Sequence, residues 1–155
     1  MKRLILIIAI VALGSRSGIC QSGKQNEPPA TCKSGNLLTQ SDPHTVQVMG
    51  HFLSEFKSAI KSGDAMRVAK LSHYPLSVAT PKVTFSVATE QEFAAKYNEI
   101  FPVKLRAFLL KQQPQCISRV GAQGFTLGAG QIWFDRYPDG VVRIFSVNAI
   151  VYRGE

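Results

Sequence analysis

No hydrophobic run in this 155-residue chain is long enough to cross a bilayer, which takes roughly 20 consecutive apolar residues. A stable membrane span is therefore not expected. Histidine and cysteine are scarce, with three of each. His44 and His51 stand two helical turns apart rather than one, and the cysteines are isolated, so metal-ligand spacing is lacking. No metal or cofactor is expected. No Ser, Cys or Asp sits in a nucleophile motif, which leaves hydrolase chemistry without support. The Gly128-Ala129-Gly130 pair of glycines is followed by Trp133 rather than by a third glycine and a helix, which excludes a dinucleotide-binding loop. Acidic residues number 10 against 18 Lys and Arg. The basic residues form no run or aromatic-interleaved stripe, so nucleic acid is not an expected partner. The excess supports only mild attraction to acidic surfaces.

What is present begins with an address. Met1-Lys2-Arg3 precedes an apolar run over residues 4–13 and then Gly14-Ser15-Arg16-Ser17-Gly18, the layout of a secretory signal peptide. We assign residues 1–20 to it and expect a periplasmic or secreted protein. Cys20 lacks a lipobox, since Ile19 and Ser17 hold the places of its small residue and leucine. The cut can follow Ser17 or Cys20; either removal or capping of Cys20 leaves Cys32 and Cys116 as an even pair. In an oxidising compartment such a pair is expected to form a disulfide. Residues 21–40 are Ser, Gly, Lys, Asn and Pro with few apolar residues, a flexible linker unable to bury enough surface to fold alone. Residues 41–155 have the size of one domain.

Within that domain Asp42-Pro43 starts a helix as N-cap and first-turn proline. Val46, Met49, Phe52, Leu53, Phe56 and Ile60 recur at helical spacing until Gly63 stops the run. Asp64 caps a second, shorter helix with Ala65, Val68 and Leu71 on one face. Residues 74–78 and 83–87 alternate as short strands. Thr89-Glu90-Gln91-Glu92 is a capping box for a helix burying Phe93, Tyr97, Ile100 and Phe101. Another helix is expected over residues 103–111. Beyond Pro114 the chain is β-rich over residues 116–120, 124–135 and 141–152, with Tyr137-Pro138-Asp139-Gly140 as a hairpin turn. Helices first and strands last predict an α+β fold, N-terminal helices packed on a bent, largely antiparallel sheet.

Strand alternation in residues 124–135 puts Thr126, Gly128, Gly130, Ile132 and Phe134 on one face and Leu127, Ala129, Gln131, Trp133 and Asp135 on the other. In the last strand Val141, Phe145, Val147, Ala149 and Val151 share a face, yet Val142, Ile144 and Ile150 make the opposite face apolar too. That predicts a sheet covered on both sides, by the helices and by a second subunit. Leu127, Gln131 and Trp133 are the expected interface of such a homodimer.

The helix carrying Phe52 to Ile60, then Gly63-Asp64-Ala65 leading to Val68-Ala69-Lys70-Leu71, and the Gly128-Ala129-Gly130-Gln131-Ile132-Trp133 segment with its hairpin resemble the nuclear-transport-factor-2-like superfamily. The likeness covers roughly residues 45–152 and is in particular to small exported bacterial proteins of that group. It implies a cone-shaped α+β fold. It also implies two classes of function, since members include isomerases and dehydratases with an acid/base pair in the cone as well as non-catalytic binding or dimerisation modules. The segment Tyr74-Pro75-Leu76-Ser77-Val78 departs from the enzymes by bringing no acidic base to the pocket.

The expectation is accordingly a non-catalytic, exported module that binds a small apolar ligand or a protein partner, with Tyr74, Arg143 and Asn148 as ligand contacts. The alternative is an isomerase- or dehydratase-like enzyme acting on a small apolar ligand through His73, Tyr74 and Asn148, His73 serving as acid/base and Tyr74 as orienting donor.

Overall fold

The computed structural model describes residues 41–150; the expected signal peptide, the linker with Cys32, and residues 151–155 lie outside the described residues. Asp42 opens α1 (Pro43–Ser62) by accepting from Thr45 N at 3.0 Å and from Thr45 Oγ1 at 2.6 Å. Gly63, at φ 68°, closes it in the left-handed conformation that favours glycine. Its N–H and that of Asp64 reach back to Ile60 O and Ala59 O, the paired bonds of a Schellman stop. Asp64 then caps α2 (Ala65–Lys70) through Arg67 N. Thr89 caps α3 (Glu90–Ala95), and Glu92 reaches back to Ala88 N at 2.8 Å, one residue before the cap. The helix expected to run on to Phe101 breaks at Lys96 into a separate turn, α4 (Tyr97–Ile100), before α5 (Val103–Lys111).

Six strands form one mixed sheet in the order β2-β1-β6-β5-β4-β3. They are β1 (Ser72–Ala79), β2 (Thr84–Val87), β3 (Ile117–Arg119), β4 (Phe125–Leu127), β5 (Ile132–Arg136) and β6 (Val142–Asn148). All neighbours are antiparallel except β1 and β6, which are parallel. The helices cover one face, which makes the molecule α+β as its sequence predicts. Phe52 of α1 packs on Phe134 of β5 at 4.8 Å between ring centroids. Phe56 meets Phe101 at 5.9 Å, and Phe101 meets Phe93 and Tyr97 at 5.9 and 5.8 Å. Burying each such ring stabilises by about 1.5–3 kcal/mol.

Two expectations about the strands are corrected. Residues 124–135 are not one long strand: Leu127 pairs with Ile132, so residues 128–131 are a hairpin turn between β4 and β5. Gly128 at φ 71° and Gly130 at φ 89° supply the conformations the turn needs. Leu127 therefore faces the core with Ile132, and Trp133 faces away. The second correction concerns the doubly apolar pattern of β6. Phe134 pairs with Ile144 but Trp133 pairs with Ser146, so β6 holds an extra residue, a bulge at Phe145. It changes the phase of the strand and lets Val142, Ile144 and Val147 all point into the core, where they are 6%, 0% and 0% exposed. The pattern reflects a phase change rather than a sheet covered on both sides.

Candidate functional site

The two faces of the sheet can be read across the strands from their registers. On the helix side Phe85, Val78, Val147, Ile132, Leu127 and Ile117 stand opposite one another in one row. The adjacent row points outward and runs Ser86, Ser77, Ser146, Trp133, Thr126, Ser118 across all six strands. The outer face thus carries the serine hydroxyls of this row and one indole, whereas Thr126 is buried, 7% exposed. Trp133 is half-buried, and its Nε1 donates to Gly130 O at 3.1 Å, which folds the ring onto the hairpin turn.

The sequence-predicted interface does not assemble on that face. Leu127 is 1% exposed in the core, and Gln131 is 2% exposed with its side-chain oxygen accepting from Ala129 N at 2.6 Å inside the turn. Only Trp133 of the three faces out from the sheet. Leu127 is apolar because it is core, and Gln131 is buried because it closes the turn.

The predicted catalytic residues also separate. Even-numbered positions of β1 face the helices, so Ser72 is buried while Tyr74 reaches α2 and donates its hydroxyl to Ala69 O at 2.9 Å. Burial, reinforced by the negative charge of Glu90, pushes the Tyr74 phenol well above its usual range. His73 points to the opposite face, where its ring lies 4.5 Å from that of Tyr137. The Arg143 guanidinium lies 5.5 Å from the same Tyr137 ring and grips Asp139 with two hydrogen bonds, of 3.1 and 2.7 Å. Asn148, further along β6, spends its side-chain oxygen on Ile150 N at 3.1 Å. His73 and Arg143 are brought together through Tyr137; Tyr74 and Asn148 join neither each other nor that pair. No group of three His, Cys, Asp or Glu among the described residues can hold a metal ion.

The space between helices and sheet, where a cone pocket would lie, is occupied. Phe56, Phe93, Phe101, Leu76, Leu105, Ile132 and Ile144 are fully buried there. Among the described residues, clefts lie outside that interior, and the larger ones include two. One, of about 700 Å³, is a groove beside the β1–β2 turn lined by Pro81, Val83, Pro102 and Val103 with Lys82 and Lys104; Val83 and Val103 are 51% and 70% exposed. The other, of about 550 Å³, lies between the end of α1 and the α4–α5 region and is lined by Lys61, Ser62, Tyr97, Asn98 and Arg106. The sequence assigns Tyr97 to a buried stripe and gives Lys61 and Arg106 no role. The signal that could have marked the cleft was a tyrosine at a position where phenylalanine would fill the core equally well.

Cys116 is buried at 5% exposure and is not a free thiol; its expected partner Cys32 lies outside the described residues. No helix among the described residues is long and apolar enough to cross a membrane. No protein-family model, curated protein or solved structure matches the chain.

Proposed function

We propose that this chain is an exported, non-catalytic binding module with the cone-shaped architecture of the nuclear-transport-factor-2-like superfamily, held by a Cys32–Cys116 disulfide. The filled interior carries the reading. An isomerase or dehydratase of that architecture needs a solvent-lined pocket holding an acid/base pair, whereas here the corresponding volume holds Phe56, Phe93, Phe101 and Phe134. The engagement of Tyr74 with Ala69 O and of Asn148 with Ile150 N supports it, since each is spent on the backbone. The element order and the parallel β1–β6 pairing support the architecture. A module of this kind meets its ligand or partner on its outer surfaces, and a second copy docking through the sheet would seat on Trp133 and the hydroxyl row.

The test is exposure of the purified protein to an extract of small metabolites, followed by mass spectrometry of what is consumed and what is retained. Retention without consumption is the expected outcome. A compound consumed by the wild type and spared by His73→Ala would establish the enzyme instead.

A further inference from the structure

The groove beside the β1–β2 turn is an apolar surface that the described residues leave uncovered. Of the large apolar side chains exposed among those residues, Met66, Val83, Val103 and Val141, two meet in it. Its walls are Pro81 and Val83 of the β1–β2 connection, Pro102 and Val103 at the start of α5, and Ala149, which follows β6. Apolar side chains scattered singly over a surface need no explanation, whereas a concave group of them marks a place where something docks.

The chain itself arrives at that place. At the end of β6 Asn148 N donates to Gln131 O and Ala149 N to Ala79 O, both at 2.7 Å. A parallel ladder with β1 would go on by a bond from the N–H of residue 81 to Ala149 O, but Pro81 has no N–H. The Thr80 N–H is spent on Val83 O at 2.9 Å. Asn148 Oδ1 accepts from Ile150 N at 3.1 Å, which turns the chain out of the strand. The chain therefore leaves the sheet at Ala149 and continues as Val151-Tyr152-Arg153-Gly154-Glu155. Such a stretch reaches up to about 17 Å when extended. Because Ala149 is itself a wall, the groove lies within that reach.

Charge gives the direction. Glu99, Lys82 and Lys104 also line the groove, and none of them belongs to the ion pairs Lys96–Glu92 and Arg143–Asp139 found among the described residues. Residues 151–155 carry the complement, an apolar pair followed by one basic and one acidic side chain. We propose that residues 151–155 seat in this groove of their own chain, Val151 and Tyr152 against Val83, Pro102 and Val103, Arg153 beside Glu99, and Glu155 beside the two lysines. Exposed ion pairs each add little, so apolar contact holds the segment and the charges orient it. A partner using this surface then has to displace the segment. The seating goes beyond the binding-module reading and does not depend on it.

Methyl NMR of the full chain tests the seating. Nuclear Overhauser contacts from the Tyr152 ring to the Val83 and Val103 methyl groups are expected, unchanged on about tenfold dilution. Tyr152→Ala should remove the ring-current shifts of those methyl groups. The Tyr152 and Arg153 amides should exchange about tenfold more slowly, or slower still, than in a free peptide of residues 148–155. Glu99→Lys should lower that protection by about two- to fivefold, and the added Arg153→Glu should recover it. Absence of the Tyr152 contacts, or protection that Glu99→Lys leaves untouched, would overturn the seating. Contacts that vanish on dilution would place the segment on a second copy and overturn it equally.

Discussion

Trp133 faces Ser146 across the β5–β6 ladder, although the neighbouring pair in the ladder, Phe134 with Ile144, would put Phe145 there in a regular strand. The extra residue sends the Ser146 side chain outward and the neighbouring Val147 into the core. Replacement of Ile144 by Ala should cost about 2–5 kcal/mol, as for a fully buried aliphatic. Ser146→Ala should fall within about 0.5 kcal/mol. Urea unfolding of the two variants checks the phase: equal losses would mean that the bulge is misplaced.

Two glycines should respond oppositely to alanine. At Gly128 φ is 71°, and a Cβ would lie 2.7 Å from Phe108 Cε1 and would also meet the Gln131 side-chain oxygen. Gly128→Ala should therefore destabilise by more than about 1 kcal/mol. Gly50 lies inside α1, and a methyl group added there would meet nothing within 4 Å. Gly50→Ala should stabilise by about 0.5–1 kcal/mol. Thermal unfolding of both variants reads the sign directly.

The tyrosines predict the alkaline limb of stability. Tyr74, Tyr97 and Tyr137 all have phenol pKa values raised by burial above the ordinary value of 10.0. A raised folded-state pKa contributes stability that is complete below the unfolded value and is lost as pH climbs through the folded one. Stability should hold up to about pH 9 and fall above about pH 10. Tyr74→Phe loses the bond to Ala69 O, costing about 0.5–1.5 kcal/mol at neutral pH, and should make the alkaline fall shallower. An unchanged slope in pH-dependent denaturation would count against Tyr74 as a contributor.

The proposed Cys32–Cys116 bridge has a covalent signature. Intact mass after alkylation should differ with and without reductant, and Cys32→Ser should lower stability by about 2–4 kcal/mol. Equal masses would remove the bridge.

Local chemistry made much of this molecule legible. Asp42-Pro43, Gly63, Asp64 and the Thr89–Glu92 pair mark helix ends because caps satisfy backbone groups within a few residues of themselves. The helical spacing of Phe52, Phe56 and Ile60 likewise reports one buried face without reference to any partner. What the sequence could not disclose depends on contacts between distant segments. The turn at Gly128 separates two strands because Leu127 finds Ile132, and Val142, Ile144 and Val147 of β6 share one side although their spacing breaks the strand alternation, because pairing with β5 admits a bulge. His73 and Tyr74 are adjacent in the chain, but strand alternation sends one to Tyr137 and the other to Ala69. Tyr97 and Arg106 meet only when α4 and α5 pack beside the end of α1. By itself the sequence determined where elements begin, end and turn an apolar face, since those depend on neighbours along the chain; the tertiary structure alone decided which side chains converge, since strand register and helix packing set distances that sequence separation does not encode.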